Sequence, residues 1–286
     1  MSDERPGTRG QEHVIEIDAS PADVWRAISE AEEVIRWYVA DAQIDDHVGG
    51  TYKVSWGEGM DGASDITAYE PERHLQVRHR PVEGAPLIET GPMIEEYFIE
   101  GDGDRTVLRL VTSGIPDTEE WDWYYEGTKR GWTVFMLTLR HYLENHDRLP
   151  RDHIVSMAGL PGSSEDAWPS LMGPSGLGIS EALDGAGPGS GYSGTTAFGD
   201  ELVGQVLLLD PPHRLVATVD GLSNALLACT LEQMGESEFL YMSLSTFGLE
   251  PGRLAETRTR WETWISGLFP SASPPAEVGA PEGADV

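Results

Sequence analysis

Cysteine and lysine are almost missing from this sequence, and long apolar runs are missing altogether. Cys229 is the one cysteine, so no disulfide can form within the chain. Its place in the apolar run Leu226 to Leu231 predicts a buried, inert thiol. Lysine occurs only as Lys53 and Lys129, and all basic residues together number 19 against 49 acidic ones, a formal net charge of −30. Such a field repels phosphate backbones and anionic membranes, which argues against nucleic acid and lipid surfaces as partners. No stretch approaches the roughly 18 apolar residues of a spanning helix. The polar start MSDERPGTRGQEH has no apolar core of a signal peptide, so the expectation is a cytoplasmic protein.

Several chemistries lack their residues as well. The 8 histidines show no metal-ligand spacing. His74 and His79 are an odd number of residues apart on one predicted strand and fall on opposite faces, and no HExxH occurs. There is no G-x-S-x-G elbow. The glycine-rich run Gly185 to Gly194 is interrupted by Pro188 and follows no good strand, so it reads as a linker rather than a phosphate cradle. No metal and no cofactor are expected.

What is present is a pattern that occurs twice. At 286 residues and 39% hydrophobic the chain can hold two ordinary domains. HVIEI at His13 to Ile17 alternates like a strand, and Ser20 and Pro21 then cap and start the helix ADVWRAI. HIVSM at His153 to Met157 is followed by EDAWPSL, so that Asp166-x-Trp168 echoes Asp23-x-Trp25. ITAYEPERHLQV from Ile66 matches VLLLDPPHRLVA from Val206 in phase, each with an acid-Pro corner between two strands. Trp132, Phe135, Met136 and Leu139 form an apolar helical stripe, and Trp261, Trp264, Ile265 and Leu268 repeat it with the same spacing. Three anchors in one order predict a duplicated domain, with the boundary near residues 147–152.

In the first copy the reading is a strand, helices at about 21–28 and 30–38, six strands between about 41 and 112, and a long helix over about 118–145. The fold class is α+β, two helix-grip domains in which a curved antiparallel sheet wraps a long C-terminal helix. The expected organisation is a flexible start over residues 1–11, a first domain over 12–146, a second, degenerate one over 153–269, and a flexible tail over 270–286. The second copy is the less complete, because residues 173–199 are too glycine-rich for good strands and predict a long loop with a short helix.

This order, with ASPADVW opening the first helix, YEPE at the strand corner and Gly131-Trp132 in the closing helix, resembles the SRPBCC superfamily, also known as START-like or Bet v 1-like. Within it the chain is most similar to domains of the Hsp90-ATPase-activator-homologue type, here in tandem. The resemblance covers residues 12–146 well and 153–269 loosely, and it implies a cavity between sheet and helix. Members include polyketide cyclases, lipid carriers, hormone binders and self-protection proteins of antibiotic producers. Chaperone activators proper carry a further N-terminal module that this sequence does not show, which counts against Hsp90 activation.

Candidate site residues follow from the aromatic content of the first copy. Trp37, Tyr52, Trp56, Tyr97, Trp121, Tyr124 and Phe135 are the expected ligand-binding set, since indoles and phenols offer large apolar faces with polar tips. Each has a competing reading as plain core. Strand parity adds His79, one of Glu95 or Glu96 (Glu95 is taken as the candidate) and Arg109 as acid/base candidates if they point inward; if Leu108 and Leu110 point inward, Arg109 is outside and salt-bridged. The expected function is binding, carriage or sequestration of a hydrophobic, aromatic or polyketide-like small molecule, including in self-resistance. The alternatives are a cyclase- or dehydratase-type enzyme and a chaperone-partner or other protein-interaction module.

Overall fold

A computed structural model describes residues 7–57, 60–81, 91–234 and 237–269. The chain forms two compact units that divide between Arg148 and Leu149. Each is an antiparallel sheet with a long helix at its C-terminal end.

In the first unit the strands are β1 (Thr8–Ile17), β2 (Asp41–Ile44), β3 (Thr51–Ser55), β4 (Asp61–Glu70), β5 (His74–His79), β6 (Ile94–Asp102) and β7 (Arg105–Pro116). Their order across the sheet is β1-β7-β6-β5-β4-β3-β2. Two helices, α1 (Pro21–Ser29) and α2 (Ala31–Val34), join β1 to β2, and α3 (Asp122–Asn145) follows β7. Ser20 caps α1 by accepting the Asp23 amide at 3.2 Å, and Pro21 occupies the first turn, where its missing N–H costs nothing. The buried side of α1 carries Val24, Trp25, Ala27 and Ile28 and packs on β6 and β7. Helix α3 lies along β1. Its apolar stripe is deepest at Trp132, Met136 and Leu139, while Phe135 is only half-buried. Behind α3, the buried Glu33 accepts from the Tyr142 hydroxyl at 2.6 Å and the Arg148 Nε at 2.8 Å, fixing the end of the unit.

Strand β1 starts earlier than expected. Residues 8–11, assigned from sequence to a flexible leader, pair with the far end of β7, Thr8 opposite Pro116 and Arg9 opposite Ile115. The register shifts between Arg9 and Gln11, where a Cβ at Gly10 would stand 2.8 Å from the Thr112 carbonyl oxygen. Arg9 anchors the extension, 2.6 Å from Asp122 and with its guanidinium 4.4 Å over the Tyr125 ring. Residues 1–6 of that leader and the tail expected over 270–286 lie outside the described residues.

The second unit has β8 (Arg151–Gly159), α4 (Ser164–Met172), β9 (Gly191–Thr195), β10 (Glu201–Asp210), β11 (Arg214–Val219), β12 (Ala225–Met234), β13 (Ser237–Phe247) and α5 (Pro251–Leu268). Its sheet order, β8-β13-β12-β11-β10-β9, is that of the first unit with the β2 equivalent left out. The repeat extends to detail. Ser163 caps α4 through the Asp166 amide at 3.3 Å, as Ser20 caps α1. The register slips once between Ile66 and Ala68 on β4 and once between Val206 and Leu208 on β10, the same step after matched buried residues. Strands β11 and β12 bury both faces, Val216, Leu226 and Ala228 as well as Leu215, Leu227 and Cys229, which is why they read as unbroken apolar runs.

One expectation fails here. The glycine-rich segment 173–199, read as a loop with a short helix, contributes β9, paired to β10 from Gly191↔Gln205 to Thr195↔Glu201. Here glycine marks a close backbone approach rather than slack. A Cβ on Gly194 would fall 2.2 Å from the Gly178 carbonyl oxygen.

Candidate functional site

The site is set by register across the first sheet, because directly opposed strand residues share a face. Gln11 stands opposite Thr112, Thr112 opposite Glu95, and Glu95 opposite Val77. Val77 is 2% exposed and Gln11 donates from Nε2 to the Thr128 hydroxyl of α3 at 2.9 Å, so this row faces the helix. His79 lies two residues beyond Val77 on the same face, with Ser64 opposite it and Tyr52 opposite Ser64. A band of polar side chains, Gln11, Thr112, Glu95, His79 and Ser64, therefore crosses the inner side of a sheet whose neighbouring inward residues, Leu75, Leu108 and Leu110, are fully buried and apolar.

Several atoms of this band have no hydrogen-bond partner among the described residues: Gln11 Oε1, Thr112 Oγ1 and His79 Nε2, with His13 Nε2 one step along β1. Gln11 is 7% exposed and Thr112 5%. His79 Nε2 approaches Glu95 Oε1 at 3.4 Å, a charge contact without hydrogen-bond alignment, and the Tyr97 hydroxyl donates to the other Glu95 oxygen at 3.3 Å. Burial works against a charged His79, but the Glu95 carboxylate outweighs it and raises the His79 pKa. Burial first, and then the Glu95 charge, push the phenols of Tyr38, Tyr52, Tyr97 and Tyr124 above their ordinary range. One buried carboxylate thus sits within electrostatic reach of four neutral phenols and an imidazole.

Above the band lies an aromatic layer whose centre is Tyr38. Its ring stacks on Trp132 at 5.2 Å and on Trp37 at 5.1 Å, and meets the edges of Phe135 at 4.9 Å and Trp56 at 5.3 Å. Trp132 continues to Tyr97 at 6.1 Å. The structure thereby joins Trp37, Trp56, Phe135 and Tyr97 of the expected set. Trp121 and Tyr124 form a separate pair, 5.4 Å apart, where α3 begins. Two members are tied down as core: the Trp37 indole donates to the Ala27 carbonyl at 2.7 Å, and the Tyr52 hydroxyl to the Ile28 carbonyl at 3.2 Å. Trp56 is 37% exposed at the rim. None of residues 122–131 of α3 is fully buried, whereas Trp132 to Tyr142 carry all the deep contacts of the helix, so the open side of the layer is the helix start.

Arg109 does not belong to the site. Leu108 and Leu110 take the inward positions, and Arg109 lies outside with its guanidinium 3.9 Å over the Phe98 ring and 3.6 Å from Glu12. Sequence reasoning left Tyr38, the aromatic neighbour of Trp37, out of the binding set, and it missed Gln11 and Thr112, which are legible only once β1, β7 and β6 are in register.

Surface clefts open on both units. One, of about 490 Å³, runs over the edge of β2, β3 and β4 past Lys53, Asp61 and Arg80. The other, of about 560 Å³, lies beside α5 between Pro161, Trp264 and Phe269. Neither is the chamber expected between α3 and the sheet, where the rings are in mutual contact. Among the described residues no cluster of three or more His, Cys, Asp or Glu is arranged to hold a metal ion, and no helix is long and apolar enough to cross a membrane.

No curated protein matches the chain. Solved structures similar to it include the Aha1 dimer from Colwellia psychrerythraea, at 23% identity and a TM-score of 0.42, covering 48% of this chain and 96% of that one. DynU16, from the dynemicin biosynthetic locus, is 17% identical with a TM-score of 0.40 over 91% of this chain and 96% of its own. The di-domain ARO/CYC protein BexL, from the BE-7585A biosynthetic pathway, is 13% identical with a TM-score of 0.43 over 91% and 94%. Residues 18–144, from the approach to α1 through α3, match the sequence profile of the family described as Activator of Hsp90 ATPase homolog 1-like protein, so the first unit carries the sequence pattern of that SRPBCC-type domain.

Proposed function

We propose that the first unit binds a hydrophobic, aromatic small molecule between α3 and the sheet, for carriage or sequestration. The observation that carries this reading is the row of buried polar atoms without partners on the inner face. A hydroxyl or amide oxygen buried without a hydrogen bond costs about 1–3 kcal/mol, so a sheet that serves only as a core has no use for such a row. A bound molecule reaching in past Trp121 and Tyr124 at the less buried start of α3 would supply the missing partners below and ring contacts above. A second reading, a cyclase- or dehydratase-type enzyme, draws on the His79–Glu95 contact, which sets an imidazole of raised pKa beside a carboxylate.

Titration with a panel of flat aromatic compounds, followed by tryptophan emission, tests the proposal. Six of the nine tryptophans lie in the first unit, so a ligand there changes the signal saturably. Trp56→Ala and Phe135→Ala should weaken the response without unfolding the chain. A panel in which no compound gives a saturable response would remove the reading.

A further inference from the structure

We infer, resting on that binding site, that the ligand carries a protonated primary amine, received by Glu95 together with the Gln11 and Thr112 oxygens. The inner row has an excess of acceptors. Gln11 uses its amide Nε2 on Thr128 and leaves Oε1 open. Thr112 Oγ1 has no partner. Among the described residues Glu95 accepts the 3.3 Å bond from Tyr97 and the unaligned approach of His79, while a carboxylate has about four lone-pair positions. These three acceptors stand at one register level on three successive strands, β1, β7 and β6, which lie about 4.8 Å apart. A primary ammonium has three N–H donors, one for each.

Charge favours the same occupant. The Glu95 side chain is 12% exposed, and His79 is the basic side chain beside it in the row among the described residues. A ligand carboxylate entering here would meet Glu95 and be excluded by like-charge repulsion in a poorly solvated place. A neutral hydroxyl would donate to one acceptor and leave the other two open. The net charge of −30 draws cations toward the protein and turns anions away. The other titratable groups facing this end of the row are His13, kept neutral by burial and then by Lys129, and Tyr124, held neutral by burial and then by Glu95.

The experiment uses the full chain and three matched probes, naphthylmethylamine, naphthalenemethanol and naphthoic acid, with affinities taken from tryptophan emission and calorimetry. The amine should bind about tenfold more tightly than the alcohol, the size of one charge-assisted hydrogen bond, and the acid should not bind. Glu95→Gln should erase the preference for the amine while leaving the alcohol's affinity within about twofold. Thr112→Val should weaken the amine alone, and it decides the matter if urea melts show that Glu95→Gln does not fold. An alcohol that binds as well as the amine, or an amine preference that survives both substitutions, would overturn this inference and leave the binding-site proposal standing. If none of the three probes binds, both fall.

Discussion

Thr106 and Thr112 lie on the same strand, β7, and on the same inward face, and both are buried, at 1% and 5% exposure. The Thr106 hydroxyl donates to the Ala19 carbonyl at 2.7 Å, whereas the Thr112 hydroxyl has no partner among the described residues. Replacing each by valine keeps the branched shape and the strand preference and removes only the hydroxyl. The two substitutions should then change stability in opposite directions. At position 106 the loss of a buried hydrogen bond, with a carbonyl left unpaired, should cost about 1–3 kcal/mol. At position 112 the desolvated hydroxyl is an unmet expense, and a methyl in its place should raise stability by about 1 kcal/mol. For a unit of this size each kcal/mol moves the midpoint by about 2–4 °C. Urea and thermal melts followed by tryptophan emission measure both variants in the first unit. A Thr112→Val protein that melts below wild type would show that the hydroxyl already has a partner, and the argument that the row awaits a ligand would fail with it. A stabilised Thr112→Val protein that binds less well is the pattern of a site kept polar at the expense of the fold.

Trp132→Ala and Trp261→Ala should each cost about 3–5 kcal/mol, since both indoles are buried at the head of a closing-helix stripe; a urea midpoint equal to wild type for either would remove that stripe from the core. His153 and His79 should respond to acid in opposite ways. Burial, and then the charges of Arg151 and Arg258, lower the His153 pKa to about 3, so its contribution is present above the unfolded value of about 6.5 and is lost as pH falls from there toward 3. Melts of the second unit should weaken over that window, and a His153→Asn protein should weaken less; parallel curves would refute the assignment. His79 has the reverse sign: with its pKa raised by Glu95, its contribution is full below about pH 6.5 and disappears as pH rises through the folded value. An imidazole NMR titration that places His79 below the ordinary value would contradict the contact with Glu95.

Much that depends on neighbours in the chain was legible in the sequence, although the helix expected over 30–38 ends at Val34. The Ser20 cap, the acid-Pro corners and the tryptophan-led stripes are short-range patterns, and their repetition at matched intervals announced two copies of one plan. Their shared phase carries through to the same bulge after Ile66 and Val206. What the sequence misread were places where local composition and tertiary need diverge. Glycine lowers strand preference, yet residues 191–195 pair as β9 because the chain must pass within contact distance of Gly178. A polar leader reads as flexible, yet residues 8–11 are held by β7 and by the Arg9 contacts with α3.

The candidate site marks the limit most sharply. His79 and Glu95 were nameable as candidates because each sits on a strand with apolar neighbours. Whether Arg109 joined them turned on parity, which alternation left open until Leu108 and Leu110 took the inward positions. Gln11 and Thr112 carry no local sign of function at all. They meet because β1, the first strand of the unit, pairs with β7, its last, and sets Gln11 opposite Thr112, while β7 pairs with β6 and sets Thr112 opposite Glu95. Side-chain direction along a strand is a local property, but which inward residues share a level is fixed by hydrogen-bond register between segments far apart in the chain, and that register exists only in the folded sheet.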